Sequence, residues 1–124
     1  MIKISHIIHQ YKNQDGSVNC ILNDLTCTIK SGEFVSFVGK SGCGKTTLVK
    51  IIAGYIKPFK GNILIDNKAV FTPSKDRIVV HQENDIFDWL TVYENVSLVC
   101  KNKQTIDKLL ILGQLDKYKN NYPF

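Results

Sequence analysis

Gly39-Lys40-Ser41-Gly42-Cys43-Gly44-Lys45-Thr46 fits the spacing G-x-x-x-x-G-K-[ST], and the residues on either side decide what that spacing means. Before it, Phe34-Val35-Ser36-Phe37-Val38 is a short β-branched and aromatic run, which predicts a parallel strand buried on both faces. After it, Leu48, Ile51 and Ile52 recur at helical spacing, and Gly54 is the expected stop. A glycine-rich turn with an incidental lysine is the competing reading, and the flanking strand and helix signals favour a phosphate cradle over it.

The chemistry follows from the residue types. Glycines at 39, 42 and 44 permit a tight turn that points successive N–H groups inward. The helix beginning near Lys45 aims the positive end of its dipole at the same point, so an anion is stabilised before any side chain acts. Lys45 adds a mobile positive charge for β- and γ-phosphates, and the Thr46 hydroxyl is placed to ligand a bridging Mg²⁺ ion. Lys40, Ser41, Cys43 and Thr47 complete the set expected around the phosphates. The ligand class implied is a nucleoside triphosphate with magnesium.

The chain has 124 residues, is 44% hydrophobic and has a net charge of +5, enough for one domain with a modest core. Residues 34–65 contain Lys40, Lys45, Lys50, Lys57 and Lys60 and no carboxylate, and the tail from Lys101 is also basic. Such a balance fits nucleic acid, an anionic membrane surface or an anionic small ligand. Arg77 is the only arginine, which leaves little of the forked recognition that nucleic-acid sites use, so a small anion is favoured and no nucleic-acid partner is expected. Part of the lysine excess reads as a solvated surface.

Cys20, Cys27, Cys43 and Cys100 form no C-x-x-C pair, which argues against a zinc site or a disulfide framework and for a reducing cytosol. Cys43 lies inside the glycine loop, where alkylation sensitivity is one reading and chance occupancy of a variable position is the favoured one. His6 and His9, three apart on an expected strand, face opposite sides and are not expected to share a ligand. The apolar start is interrupted by Lys3, Ser5, His6, His9 and Gln10, so no secretory segment or membrane span is expected. Work at a membrane then needs a partner that supplies the spanning part.

Residues 2–12 read as a first strand, Asp15-Gly16 as a hairpin turn, and 18–29 as one or two antiparallel strands closed by Ser31-Gly32. Beyond the glycine loop and its helix, Pro58 and Gly61 bracket a turn before a strand over 62–66, and Asn67 suits a tight hairpin to Ala69-Val70. Arg77-Ile78-Val79-Val80-His81 is a second expected buried strand, ending at Gln82. Thr91 with Glu94 predicts a capping box, with Val92, Asn95, Val96 and Val99 on one face of the helix that follows. A further helix is expected from Gln104 or Thr105 through Gly113.

With these elements in order, the chain resembles the N-terminal half of an ABC transporter ATP-binding subunit, from Tyr11 to Pro123-Phe124. Besides the glycine loop, the resemblance rests on Leu22-Asn23-Asp24-Leu25 with Ile29-Lys30-Ser31-Gly32-Glu33-Phe34-Val35. It rests equally on residues 48–54 with Pro58, Gly61 and Ile65-Asp66, and on Gln82 with Phe87, Trp89-Leu90-Thr91-Val92 and Glu94-Asn95-Val96. The wording at Trp89 to Val92 most resembles importers of nitrate, sulfonates and taurine, with departures at His81 and Asp88.

The resemblance implies an α/β fold: a P-loop NTPase core with an antiparallel β subdomain and the start of a helical subdomain, truncated before the signature motif. Its implied division is residues 1–82 for the partial core with the P-loop, and 83–124 for the Q-loop exit and helical start. It implies ATP and Mg²⁺ as ligands, bound by Tyr11 and Gly39 through Thr47. Tyr11, 28 residues before Gly39, would stack on adenine, and Gln82, 37 residues after Lys45, would reach the metal and the attacking water. Catalytic roles fall to Lys45 and Gln82, and metal ligation to Thr46 and Gln82.

The implied partners are membrane-spanning permease subunits, gripped through residues 82–96, and a second ATP-binding subunit, at the cytoplasmic face of the membrane. Phe87, Trp89 and Leu90 are read either as this interface or as core. An L-S-G-G-Q signature, a Walker B strand ending in Asp-Glu and a switch histidine are absent from residues 1–124. The expectation is a chain that holds nucleotide without turning it over alone, with an open apolar edge at 34–38. The alternatives are a truncated remnant of such a subunit that binds ATP without hydrolysis, or an unrelated cytosolic P-loop NTPase.

Overall fold

The computed structural model describes residues 1–81 and 85–123. The chain divides into two compact units, Met1–Val79 and Val80–Phe124.

In the first unit, β1 (Ile2–Lys12) pairs antiparallel with β2 (Val18–Ile29) on one side and β3 (Lys60–Ile65) on the other, and β3 pairs with the short β4 (Lys68–Ala69). The expected turn closes the first hairpin: the Asn13 N–H donates to the Ser17 carbonyl at 2.8 Å, and Asp15 accepts from the Ser17 N–H at 2.8 Å. Asp66 and Asn67, both at positive φ, make the tight turn into β4.

Helix α1 (Lys45–Ala53) lies on this sheet. Leu48 and Ile51 pack with Ile4 and Ile7 of β1, Leu22 of β2 and Ile63 of β3 in one buried cluster. Burying each such side chain contributes about 2 kcal/mol. Gly54 stops the helix as expected, at φ 85°, with the Tyr55 N–H returning to the Lys50 carbonyl at 2.9 Å. A Cβ on Gly54 would sit 2.5 Å from the Thr72 carbonyl oxygen, so the site excludes any side chain.

Two expected strands are not formed. Residues 34–38 are irregular, with Phe34 94% and Val38 93% exposed, and only Phe37 of this run packs against the core. Residues 77–81 are likewise irregular, with Ile78 and Val80 turned to solvent. The physical reason is that a strand exists through its neighbours, and among the described residues no strand runs beside either segment. An apolar cleft of about 420 Å³ is left in the first unit, lined by Phe37, Ile52, Ile65, Ile78 and Val79 among others.

In the second unit, α2 (Val92–Ser97) begins with the expected capping box. Glu94 N–H donates to Thr91 Oγ1 at 3.2 Å, and Thr91 N–H donates to Glu94 Oε2 at 2.7 Å. Helix α3 (Lys103–Leu112) starts slightly earlier than expected because Asn102 caps it, accepting from the Thr105 N–H at 3.0 Å. Ile106 and Leu110 are buried, whereas Leu109 and Leu112 are exposed; α2 buries no residue fully, and Val99 of its expected apolar face is exposed. A 3₁₀ turn over Asp116–Tyr118 follows.

Candidate nucleotide-binding site

The glycine loop is shaped by where its last glycine must sit. Gly44 is the N-cap of α1 at φ 96°, and a Cβ there would lie 2.7 Å from Ile21 Cγ2 and 2.9 Å from Leu22 Cδ2. The helix start is thus pressed onto β2, a distance only glycine allows. No side chain caps α1 and no acidic residue lies in its first turn. The N–H groups of its first turn have no intrahelical partners, which leaves a positive, donor-rich end facing the loop.

Lys45 is folded back over that loop. Its Nζ donates to the Lys40 carbonyl at 2.7 Å and the Gly39 carbonyl at 2.8 Å, and lies 3.7 Å from Cys43 Sγ. Around Gly42, also at positive φ, there is open space where a Cβ would point. The Lys45 ammonium and the N–H groups that open α1 therefore lie together at the glycine loop, and such a pair is favourable for an anion.

Thr46 is exposed beside this cradle. Among the described residues no group of three or more His, Cys, Asp or Glu side chains is placed to hold a metal ion. The donors present suit Mg²⁺ taken up with phosphate oxygens and the Thr46 hydroxyl, rather than in a preformed protein cage.

Tyr11, remote in sequence, comes to the same place. Its Oη lies 3.5 Å from Thr47 Oγ1 in the first turn of α1, and the ring is 43% exposed. At that length the contact is a weak hydrogen bond, but it fixes the location: an accessible aromatic ring stands at the rim of the cradle. His9, passed over as a ligand in the sequence, lies directly below. His6 and His9 do face opposite sides, the first exposed and the second 8% exposed. Gln82 lies outside the described residues.

In the second unit, the Phe87 and Trp89 rings are in tilted contact, with centroids 5.0 Å apart and an interplanar angle of 58°, and Trp89 is 72% exposed. Of the two readings for these aromatics, burial in the core does not hold for Trp89.

The ABC transporter family model matches residues 22–123. The chain belongs to the ABC transporter family. Among its relatives, the aliphatic sulfonates import ATP-binding protein SsuB of Bacillus cereus (strain ZK / E33L) is 37% identical over 127 residues, covering 98% of this chain and 50% of that protein. The nitrate import ATP-binding protein NrtC of Synechococcus elongatus is 31% identical over 131 residues, covering 94% of this chain and 20% of that protein. Both the family and the sulfonate and nitrate wording read from the sequence are thereby shown.

Among solved structures, a dimeric post-hydrolysis state of the ATP-binding cassette MJ0796 bound to ADP and Pi superposes with a TM-score of 0.78 at 28% identity. The match covers 99% of this chain and 62% of that one. The expected α/β cassette architecture is therefore present, even though its two parallel strands are not formed here. The chain spans about half the length of SsuB. An unrelated P-loop NTPase is ruled out by the family match.

Proposed function

We propose that this chain is the ATP-binding part of an ABC import ATPase subunit. One observation carries the reading: Tyr11 and Thr47, 36 positions apart, meet at 3.5 Å on the rim of the glycine loop, so a base platform and a phosphate cradle face one ligand. Adenine stacks on the Tyr11 ring, which is worth of order 1 kcal/mol. The phosphates lie on the N–H groups of residues 39–47, with Lys45 exchanging its two loop carbonyls for β- and γ-phosphate oxygens.

Magnesium, when bound, neutralises charge on those oxygens; Thr46 and Gln82 are the residues that would hold it. Gln82 also orients water, a role that rests on the resemblance of the segment around it. The subunit sits at the cytoplasmic face of a membrane. Residues 82–96, with Trp89 exposed, dock on permease subunits, and a second ATP-binding subunit completes the assembly. None of the helices among the described residues is long and apolar enough to cross a membrane.

Residues 1–124 contain no Walker B carboxylates and no signature motif, so the chain by itself holds the nucleotide without cleaving it. Strands from the rest of a cassette would cover residues 34–38 and 77–81. Equilibrium dialysis with Mg²⁺-ATP, followed by phosphate assay, tests this reading. Saturable binding at one site per chain without phosphate release is expected; steady release above background would contradict it.

A further inference from the structure

Ile7, His9 and Tyr11 alternate on β1 and so share one face. Along that face exposure rises from 0% at Ile7 through 8% at His9 to 43% at Tyr11, which makes His9 the last buried side chain beneath the open aromatic ring. The two rings meet at right angles, with centroids 4.8 Å apart and an interplanar angle of 81°. Among the described residues, neither ring nitrogen of His9 has a hydrogen-bond partner.

That combination is unusual for a buried histidine. Two desolvated nitrogens without a partner among the described residues are a cost to the fold, and the contact that the structure gives the ring is with Tyr11. Opposite this point the extra residues lie in β2, between Leu25 and Leu22 and again between Leu22 and Cys20, so β1 keeps its alternation from Ile7 to Tyr11. Tyr11 then meets Thr47 at its tip, 3.5 Å away, and His9 at its ring, while 43% of the residue stays exposed.

We propose that His9 is a positioning residue for base recognition: its ring sets the orientation of Tyr11, and through it the affinity for the base but not for the phosphates. The inference rests on the reading of Tyr11 as the adenine platform.

The test measures binding of two probes to the full chain, Mg²⁺-ATP and base-free Mg²⁺-tripolyphosphate, by titration calorimetry. His9→Leu keeps an apolar side chain of similar bulk and removes the aromatic ring; His9→Phe keeps the ring and removes the nitrogens. His9→Leu is expected to weaken Mg²⁺-ATP about 3- to 10-fold, the size of one aromatic pair, and to leave tripolyphosphate within about twofold. His9→Phe is expected to bind both probes as the unaltered chain does and to melt a few degrees higher, since two orphaned polar atoms are gone.

The double variant His9→Leu/Tyr11→Ala is expected to bind Mg²⁺-ATP no more weakly than Tyr11→Ala alone. Unchanged ATP affinity in His9→Leu, equal weakening of both probes, or a loss in His9→Phe as large as in His9→Leu would each overturn the proposal. Unchanged ATP affinity in Tyr11→Ala would overturn the Tyr11 reading itself, whereas a loss there with His9→Leu unaffected removes the His9 inference alone.

Discussion

Asn95 and Phe87 exchange hydrogen bonds through a single amide side chain: Asn95 Oδ1 accepts from the Phe87 N–H at 2.9 Å, and Asn95 Nδ2 donates to the Phe87 carbonyl at 3.0 Å. The same Nδ2 donates to the carbonyls of Leu90 at 3.1 Å and Thr91 at 3.0 Å. One side chain thus shapes the loop that presents Phe87 and Trp89 ahead of α2. Asn95→Ala removes all four contacts and is expected to destabilise this unit by about 1–3 kcal/mol. Denaturation followed through Trp89, the sole tryptophan, measures it; an unchanged midpoint would mean that the loop is held by other contacts.

Gly44→Ala places a Cβ against Ile21 and Leu22 at a residue with φ 96°. Strain and overpacking together are expected to cost about 2–4 kcal/mol and to displace the first turn of α1. Gly42→Ala has the same backbone problem at φ 79° but open space around it, so about 1 kcal/mol is expected. Thermal melts of the two variants should separate clearly, and equal losses would contradict the close approach of α1 to β2.

Acid should dismantle the α2 cap. The Thr91 N–H, and then its hydroxyl, hold the Glu94 carboxyl below the usual range of a glutamate. Because the folded state favours the carboxylate, its contribution is complete above the unfolded pKa of about 4.3 and is lost as pH falls through the lower folded value. The stability gap between the unaltered chain and Glu94→Gln is expected to be constant above about pH 6 and to shrink below about pH 4. A gap that persists undiminished at pH 3 would count against the charged form as the capping species.

Cys43 is exposed in the loop, with its Sγ 3.7 Å from Lys45 Nζ. Iodoacetamide is expected to block Mg²⁺-ATP binding, with ATP slowing modification of the Cys43 peptide, and Cys43→Ser is expected to bind nucleotide and resist the reagent. Cys20 is exposed too, so peptide mass spectrometry rather than total thiol loss is the measurement.

What could be read from the sequence was local or carried by turn chemistry. The β1–β2 hairpin, the Asn67 turn, the Gly54 stop and the Thr91–Glu94 box each depend on a few adjacent residues whose backbone preferences agree with the fold. Residues 34–38 and 77–81 carry strand composition, yet composition does not supply the neighbouring strand that makes one. In the site, the glycine loop is proposed from type and spacing, and Tyr11 from the resemblance. His9 was not legible, because alternation puts it on the face of Ile7 and Tyr11 without showing which face is buried or that its ring meets that of Tyr11.

The central claim is that residues 39–47 hold the phosphates of ATP with Lys45 as the mobile charge. Titrating Mg²⁺-ATP into the chain and into Lys45→Ala tests it most directly, because Lys45 now bonds only to atoms of the loop itself among the described residues. The account predicts that Lys45→Ala keeps its fold and loses affinity several-fold or more; identical affinities for the two proteins would contradict it.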